Sequence, residues 1–219
     1  MSLSKAWEWS KEKNPIWYYP CEESYFLANR WKDAGFQKIL DFGCGLGRHS
    51  IFFAKNGFDV SAFDLSMDGI KHLQNWAQHE NLKINTKVAD MLELPYSDDS
   101  FDCIFAYHVI SHTDSKGMET IVKELMRVLK KDGEFFLTLC SKEAWSFKDA
   151  GFPKIDENTI LKTEGPEKGI THFYVTLDDV LSLFRDFSIS LIRHVDDCYF
   201  NGNKQNCKHY FILGKYNGR

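Results

Sequence analysis

No Cys-x-x-Cys pair occurs among the six cysteines of this 219-residue chain, Cys21, Cys44, Cys103, Cys140, Cys198 and Cys207. Zinc-ribbon and dithiol frameworks are therefore not expected. Because Cys103 and Cys140 sit inside apolar runs, the expectation is reduced, buried thiols in a cytoplasmic protein. No run of Lys and Arg is longer than a pair, and the formal net charge is −4. Nucleic acid and anionic membrane surfaces are gripped by a basic face, so neither is expected as a partner. No apolar stretch reaches the ~20 residues of a membrane-spanning helix, and the opening MSLSKAWEWSKEKNP lacks the apolar core of a secretory leader. Internal repeats and low-complexity tracts are also missing. What remains is a globular composition, 43% hydrophobic and 26% charged, of a length that suits a single domain over residues 1–219.

Apolar periodicity organises the chain. KILDF (Lys38–Phe42), DVSAFDL (Asp59–Leu65), TKVADM (Thr86–Met91), FDCIFAYHV (Phe101–Val109) and EFFLTLC (Glu134–Cys140) read as five strands. Helical patterns alternate with them at Leu46–Asn56, at Met67–His79, and at Met118 to Leu129, where Lys130-Lys131-Asp132-Gly133 supplies a basic last turn and a glycine stop. Short links between alternating strands and helices imply an α/β fold, a mainly parallel sheet with helices on both faces. The rhythm breaks over residues 141–176, an expected lid or insertion. It returns with a helix at Leu177–Phe187 and two strands, Ser188–Val195 and Lys208–Lys215. Their short polar link implies an antiparallel edge hairpin. Residues 1–36 form a separate expected feature. Trp7, Trp9, Trp17, Tyr18, Tyr19, Tyr25, Phe26 and Trp31 crowd there, either as a helix docking on the core or as an aromatic cover over a ligand, whose ring faces would attract a cation.

The stretch DFGCGLGRHS places Gly43, Gly45 and Gly47 at alternate positions at the end of the first strand. Glycine at this density marks a tight turn or a close approach to backbone, and the carboxyl ends of such strands are where doubly wound sheets bind ligands. Two ligands fit, a dinucleotide and S-adenosylmethionine. The dinucleotide fingerprint G-x-G-x-x-G needs glycine at residue 48, which is Arg48. Asp64, expected at the end of the second strand, can accept two ribose hydroxyls. Asp90, expected at the end of the third, can accept an adenine amino group, with apolar Leu65 and Met91 against the base.

Taken in order, ILDFGCGLGRHS, VSAFDLS, VADMLELPYSDDSFDCIFAYHVISH and RVLKKDGEFFLTL resemble the class I S-adenosylmethionine-dependent methyltransferase family, over about Lys38 to Cys140, and most of all its small enzymes acting on small molecules. GCGLGRHS followed by GFDVSAFDLS is also similar to tellurite-resistance-type methyltransferases. The resemblance implies a Rossmann-like seven-stranded sheet of order 3-2-1-4-5-7-6 with the seventh strand antiparallel. It implies that Asp41, Gly43 and Gly45 shape the methionine pocket, and that Asp64 and Leu65 hold ribose and adenine. It implies further that Asp90 and Met91 hold the adenine edge, and that Ala106 and Tyr107 line the sulfonium side. The activity implied is in-line transfer of a methyl group to a small-molecule acceptor. The alternatives are a non-catalytic S-adenosylmethionine-binding module and a nicotinamide-dependent oxidoreductase.

A sulfonium methyl is already activated, so the protein need only align the acceptor, exclude water and, for some acceptors, remove a proton. Tyr107, His108, Ser111 and His112 cluster after the fourth strand, and His108 and His112 are the candidate proton acceptors. Their H-x-x-x-H spacing is not read as zinc, since the segment leaves a strand and carries no HExxH glutamate. Arg48 and His49 are expected either to touch ligand or to pack. The Asn/Asp-Pro-Pro-aromatic run typical of relatives that methylate nucleobase amines is absent, AYHVIS standing in its place. Acceptor identity is expected to lie in the aromatic N-terminus and in the insertion, which offers Trp145, Phe147, Phe152, His172, Phe173 and Tyr174.

Overall fold

The computed structural model describes residues 5–9, 14–165, 167–197 and 205–218. Cys198 and part of the link before the last strand lie outside them. Strands β1 (Lys38–Phe42), β2 (Asp59–Asp64), β3 (Ile84–Val88), β4 (Phe101–Ala106) and β5 (Leu129–Ser141) alternate with helices α2 (Arg48–Lys55), α3 (Met67–His79) and α4 (Ser115–Val128). Helix α1 (Glu22–Asp33) precedes them. An insertion follows with a short helix α5 (Trp145–Lys148) and strands β6 (Thr159–Leu161) and β7 (Thr171–Val175). Helix α6 (Leu177–Leu183) then leads to β8 (Phe187–Asp197) and β9 (Cys207–Tyr216).

The main sheet runs β3-β2-β1-β4-β5-β9-β8. The first five strands are mutually parallel. β9 lies antiparallel between β5 and β8, in register from Glu134↔Lys215 to Cys140↔His209. This is the Rossmann-like order implied by the resemblance, with the hairpin at one edge. β7 joins the far end of β5 through Cys140↔Tyr174 and Ser141↔Val175, and β6 pairs antiparallel with β7. β6 and β7 thus form a β-hairpin within the 141–176 stretch, beside a small core of Ala144, Ile160 and Tyr174.

Strand alternation sorts the core into two layers. Ile39, Val60, Cys103, Phe105, Phe136, Phe211 and Leu213 face α1 and α2, meeting Leu27, Trp31 and Phe53. Leu40, Phe42, Phe63, Ile104, Leu137 and Ile212 face the other way, onto Met118, Ile121 and Leu125 of α4 and Val180 and Phe184 of α6. Helix starts carry side-chain caps: Ser66 for α3, Asp114 for α4, and a capping box between Thr176 and Asp179 for α6.

Several boundaries differ from the sequence reading. β3 stops at Val88, where its ladder with β2 ends at Asp64↔Val88, so Asp90 and Met91 lie in the following turn. β4 stops at Ala106, because His108 takes a left-handed backbone (φ 55) and gives its N–H to Thr138 Oγ1 at 2.7 Å. α6 ends at Leu183, and Phe187 already belongs to β8. Gly133 does not stop α4. Leu129 is already in β5, and Lys130–Gly133 bulge out between the pairs Phe101↔Leu129 and Cys103↔Glu134. A Cβ on Gly133 would come within 2.8 Å of the Asp102 carbonyl oxygen, so glycine serves close packing there.

The N-terminal helix docks through one buried carboxylate. Glu134, 8% exposed, accepts two hydrogen bonds from the Arg30 guanidinium at 2.8 and 2.7 Å and one from Trp31 Nε1 at 3.0 Å. Glu134→Ala strands the buried indole N–H and leaves Arg30 uncompensated. It is expected to lower unfolding free energy by about 2–3 kcal/mol, read as a lower urea midpoint at unchanged slope.

Candidate functional site

The three glycines of the turn all have positive φ, 68° at Gly43, 54° at Gly45 and 94° at Gly47, a backbone that side chains resist. All three are also sterically required, a Cβ on Gly47 meeting Leu73 Cδ1 at 2.4 Å. A Cβ on Gly43 would meet Val109 Cγ2 at 2.2 Å, and one on Gly45 would meet Trp9 Cζ2 at 2.4 Å. The turn is held by Asp64, whose Oδ2 accepts from Gly45 N–H and whose Oδ1 accepts from Ser66 N–H, both at 2.8 Å. Burial raises the Asp64 pKa above the ordinary carboxylate value, and these two amides pull it back. Each oxygen keeps a lone pair for a further donor.

A cavity of about 650 Å³ opens at this end of the sheet, inside the ~300–1,000 Å³ range of small-molecule sites. Gly43, Gly45, Asp64, Leu65, Asp90, Met91, Tyr107, His108 and His112 all line it. Asp90 Oδ1 accepts from Leu92 N–H at 3.0 Å. Two expected residues are not on the wall. Alternation along β1 turns Asp41 inward, where it is 2% exposed and accepts a hydrogen bond from Ser50 Oγ. Alternation along β4 buries Ala106 completely among the residues packed on α4. Ser111 is also spent on the scaffold: its Oγ accepts from Cys140 N–H at 3.1 Å and its carbonyl from Phe173 N–H at 2.7 Å.

The N-terminal aromatics divide between the two alternatives. Trp31 is in the core, and Tyr25 packs its ring on Phe52. Trp7, Trp9 and Trp17 cluster on the cavity wall, with centroids 5.3 to 6.2 Å apart. Trp9 Nε1 is buried without a hydrogen-bond partner. Arg48 pins this segment, giving hydrogen bonds to the carbonyls of Ile16 (2.8 Å) and Tyr19 (3.3 Å) and lying over the Trp17 and Tyr107 rings. His49, buried and pushed well below its usual pKa by desolvation, accepts Cys21 N–H on Nε2 at 3.2 Å. Both residues therefore anchor the segment.

Four histidines meet at the other part of the cavity. His108 lies 4.2 Å, centroid to centroid, from His209, and His112 lies 4.7 Å from His172. Burial holds His108 well below the usual imidazole pKa and lowers His172 and His209 to about 4. Glu167 Oε1 sits 3.5 Å from His112 Nε2 and 3.1 Å from His172 Nε2, and Lys162 pairs with its other oxygen. Burial alone would raise Glu167, but the hydrogen bonds from both imidazoles and the Lys162 charge hold it far below the carboxylate range. Lys162, Glu167 and His209 were not singled out from sequence. Period-two alternation in KHYFIL could have exposed His209, which pairs across from Cys140. Lys162 and Glu167 lie in the irregular LKTEGPEKG, which carries no periodic signal. Of the insertion aromatics, only His172 and Tyr174 reach the wall, whereas Phe173 enters the main core.

Residues 39–133 match the profile of a methyltransferase domain. The ajmaline N-methyltransferase of Rauvolfia serpentina is 25% identical over 164 residues, 73% of this chain and 54% of that protein. The probable S-adenosyl-L-methionine-dependent methyltransferase TehB of Haemophilus influenzae is 30% identical over 88 residues, 40% of this chain and 30% of that protein. The TehB crystal structure superposes with a TM-score of 0.66 at 18% identity, covering 88% of this chain and 62% of that one. The Burkholderia thailandensis 1,6-didemethyltoxoflavin-N1-methyltransferase, solved with its substrate and S-adenosylhomocysteine, superposes with a TM-score of 0.64 at 17% identity, over 89% and 77% of the two chains. The chain spans 35% to 54% of the length of three curated relatives that it matches. Among the described residues, no helix is long and apolar enough to cross a membrane.

Asp41 gives the site a pH signature. Burial pushes its pKa up to about 7, against the opposing pull of Ser50 and Arg48, whereas the unfolded value is about 3.9. Between pH 4 and 7 the folded state therefore holds the extra proton, and stability falls as pH rises, by up to about 1.4 kcal/mol per pH unit, flattening above 7. Asp41→Asn is expected to lose this slope relative to the parent protein in urea melts across that range.

Proposed function

Because residues 39–133 match a methyltransferase domain, we propose that the chain is a class I S-adenosylmethionine-dependent methyltransferase that moves a methyl group from S-adenosylmethionine to a small-molecule acceptor. The observation that carries this reading is the convergence of Gly43, Gly45, Asp64, Leu65, Asp90 and Met91 on one cavity that also holds the histidines. The site fits the cofactor on its own chemistry. The Gly43–Gly45 backbone is a cradle that any Cβ would disturb. Asp64 keeps acceptor capacity for the ribose hydroxyls, and Asp90 has an oxygen for the adenine amino group. Leu65 and Met91 offer apolar contact to the base. The unpartnered Trp9 N–H is a donor for the methionine carboxylate, and the Trp7, Trp9 and Trp17 faces favour a cation.

When bound, S-adenosylmethionine supplies a methyl group on a positively charged sulfur, already activated for in-line displacement. The chain's own work is to hold the acceptor behind that carbon and to exclude water. Trp7, Trp9 and Trp17 cover one side of the cavity, and Lys162, Glu167, His172 and Tyr174 line the other. Where the acceptor carries a proton, His108 or His112 takes it. His108 is kept neutral by burial and therefore presents a lone pair at physiological pH. The ajmaline and 1,6-didemethyltoxoflavin enzymes are named as N-methyltransferases, and a cavity of about 650 Å³ suits a small-molecule acceptor. The unpaired thiols of Cys21, Cys44, Cys103 and Cys140 fit a reducing compartment.

Titration calorimetry tests the reading. S-adenosylhomocysteine is expected to bind at micromolar concentration and NADH not at all; the reverse would overturn it. Asp64→Ala is expected to weaken S-adenosylhomocysteine by about 1.5–3 kcal/mol, the worth of hydrogen bonds to a charged group. Unchanged affinity in the folded variant would remove Asp64 from the site.

A further inference from the structure

Glu167, His172 and His112 bring one potential metal-ligand atom each into a group with no two more than 4.8 Å apart. Two of the separations are those from Glu167 Oε1, 3.5 Å to His112 Nε2 and 3.1 Å to His172 Nε2. Around a zinc-sized ion with bonds near 2.0–2.1 Å, adjacent atoms of a tetrahedral shell stand about 3.3 Å apart. The two distances bracket that value, so an ion can be seated with small side-chain adjustment.

The orientation of His172 is set from behind. Its Nδ1 lies 3.2 Å from the Ile170 carbonyl oxygen, which can only accept, so Nδ1 carries the hydrogen. A ligating histidine is characteristically aimed in this way, by a backbone carbonyl on its second nitrogen. Its Nε2 is thereby turned to Glu167 Oε1 at 3.1 Å, so that ring and carboxylate present neighbouring ligand atoms. Glu167 is divided accordingly. Lys162 takes Oε2, and Oε1 is left to the two imidazoles. His172 is 2% exposed and Glu167 about a quarter exposed, while His112, stacked on Trp7, borders the cavity.

We propose that His112, Glu167 and His172 hold a single divalent transition-metal cation of the zinc class, with its open coordination facing the cavity. Two imidazoles and one carboxylate suit such ions, whereas magnesium and calcium prefer oxygen alone. Three protein ligands leave a position for water or for an oxygen, nitrogen or sulfur atom of a bound molecule. The metal site stands apart from methyl transfer; the idea that its open position holds the acceptor rests on the methyltransferase reading. A ligating His112 is not the proton acceptor, which leaves that role to His108.

Tag-free, chelator-treated full-length protein is titrated with Co²⁺, followed by visible absorption and calorimetry, and Zn²⁺ is added as competitor. The expected result is saturable uptake of a single equivalent with the intense band of a low-coordinate nitrogen–oxygen site, displaced by Zn²⁺. Glu167→Gln, isosteric and checked for folding by circular dichroism, is expected to weaken uptake by more than about 100-fold, and His172→Ala likewise. Absence of saturable uptake in the parent protein, or equal uptake in folded Glu167→Gln, overturns the proposal. Uptake of Co²⁺ by protein that fails to bind S-adenosylhomocysteine would uphold the metal site while removing the methyltransferase reading.

Discussion

The carboxylate of Asp64 spans the mouth of two crossovers. One oxygen holds the amide of Gly45, in the turn after β1, and the other holds the amide of Ser66, at the start of α3. Three successive left-handed glycines could adopt many paths, and this bridge selects one. With that path fixed, Val109 packs on Gly43 and Trp9 on Gly45 so closely that neither glycine tolerates a Cβ. Gly69, in the first turn of α3, is similarly pressed by the Gly45 carbonyl and by Trp9. The path of the cavity floor and the seat of its aromatic side therefore rest on the carboxylate of Asp64. Its desolvation is offset by the two amide hydrogen bonds.

The rest of the cavity is built from distant parts of the chain. The turn after β4 contributes Tyr107, His108 and His112. β9 contributes His209, and the inserted hairpin contributes Lys162, Glu167, His172 and Tyr174. Thr138 on β5 coordinates these pieces by accepting the His108 amide, which makes the left-handed residue possible and swings the loop over the strand ends. A parallel sheet supplies the shared floor, and the divergent segments supply the walls, so chemistry can change while the floor is retained.

Much of this was legible in the residues. KILDF is a strand as read, and the runs DVSAFDL and FDCIFAYHV hold strands that stop at Asp64 and Ala106. The glycine spacing and Asp64 pointed to the end of the sheet where the cavity opens. Asp41 and Ala106 were misplaced because a motif gives positions along a strand, whereas period-two alternation decides which face a side chain takes. Lys130–Gly133 looked like a helix stop, since a basic turn followed by glycine is common there. Its true role, a bulge accommodating the Asp102 carbonyl, depends on a strand pairing invisible locally. The insertion was the largest gap. Glu167 and Lys162 acquire meaning only when β7 carries His172 beside His112, a contact between residues 60 apart in the sequence.

The most direct test of the account is an isotope-filtered NMR experiment on the protein with S-adenosylmethionine labelled with ¹³C at its sulfonium methyl. The account predicts nuclear Overhauser contacts from that methyl to the rings of Tyr107 and His108 and none to residues of β8 or of the outer face of α3. A bound methyl that contacts only residues outside the cavity would contradict it.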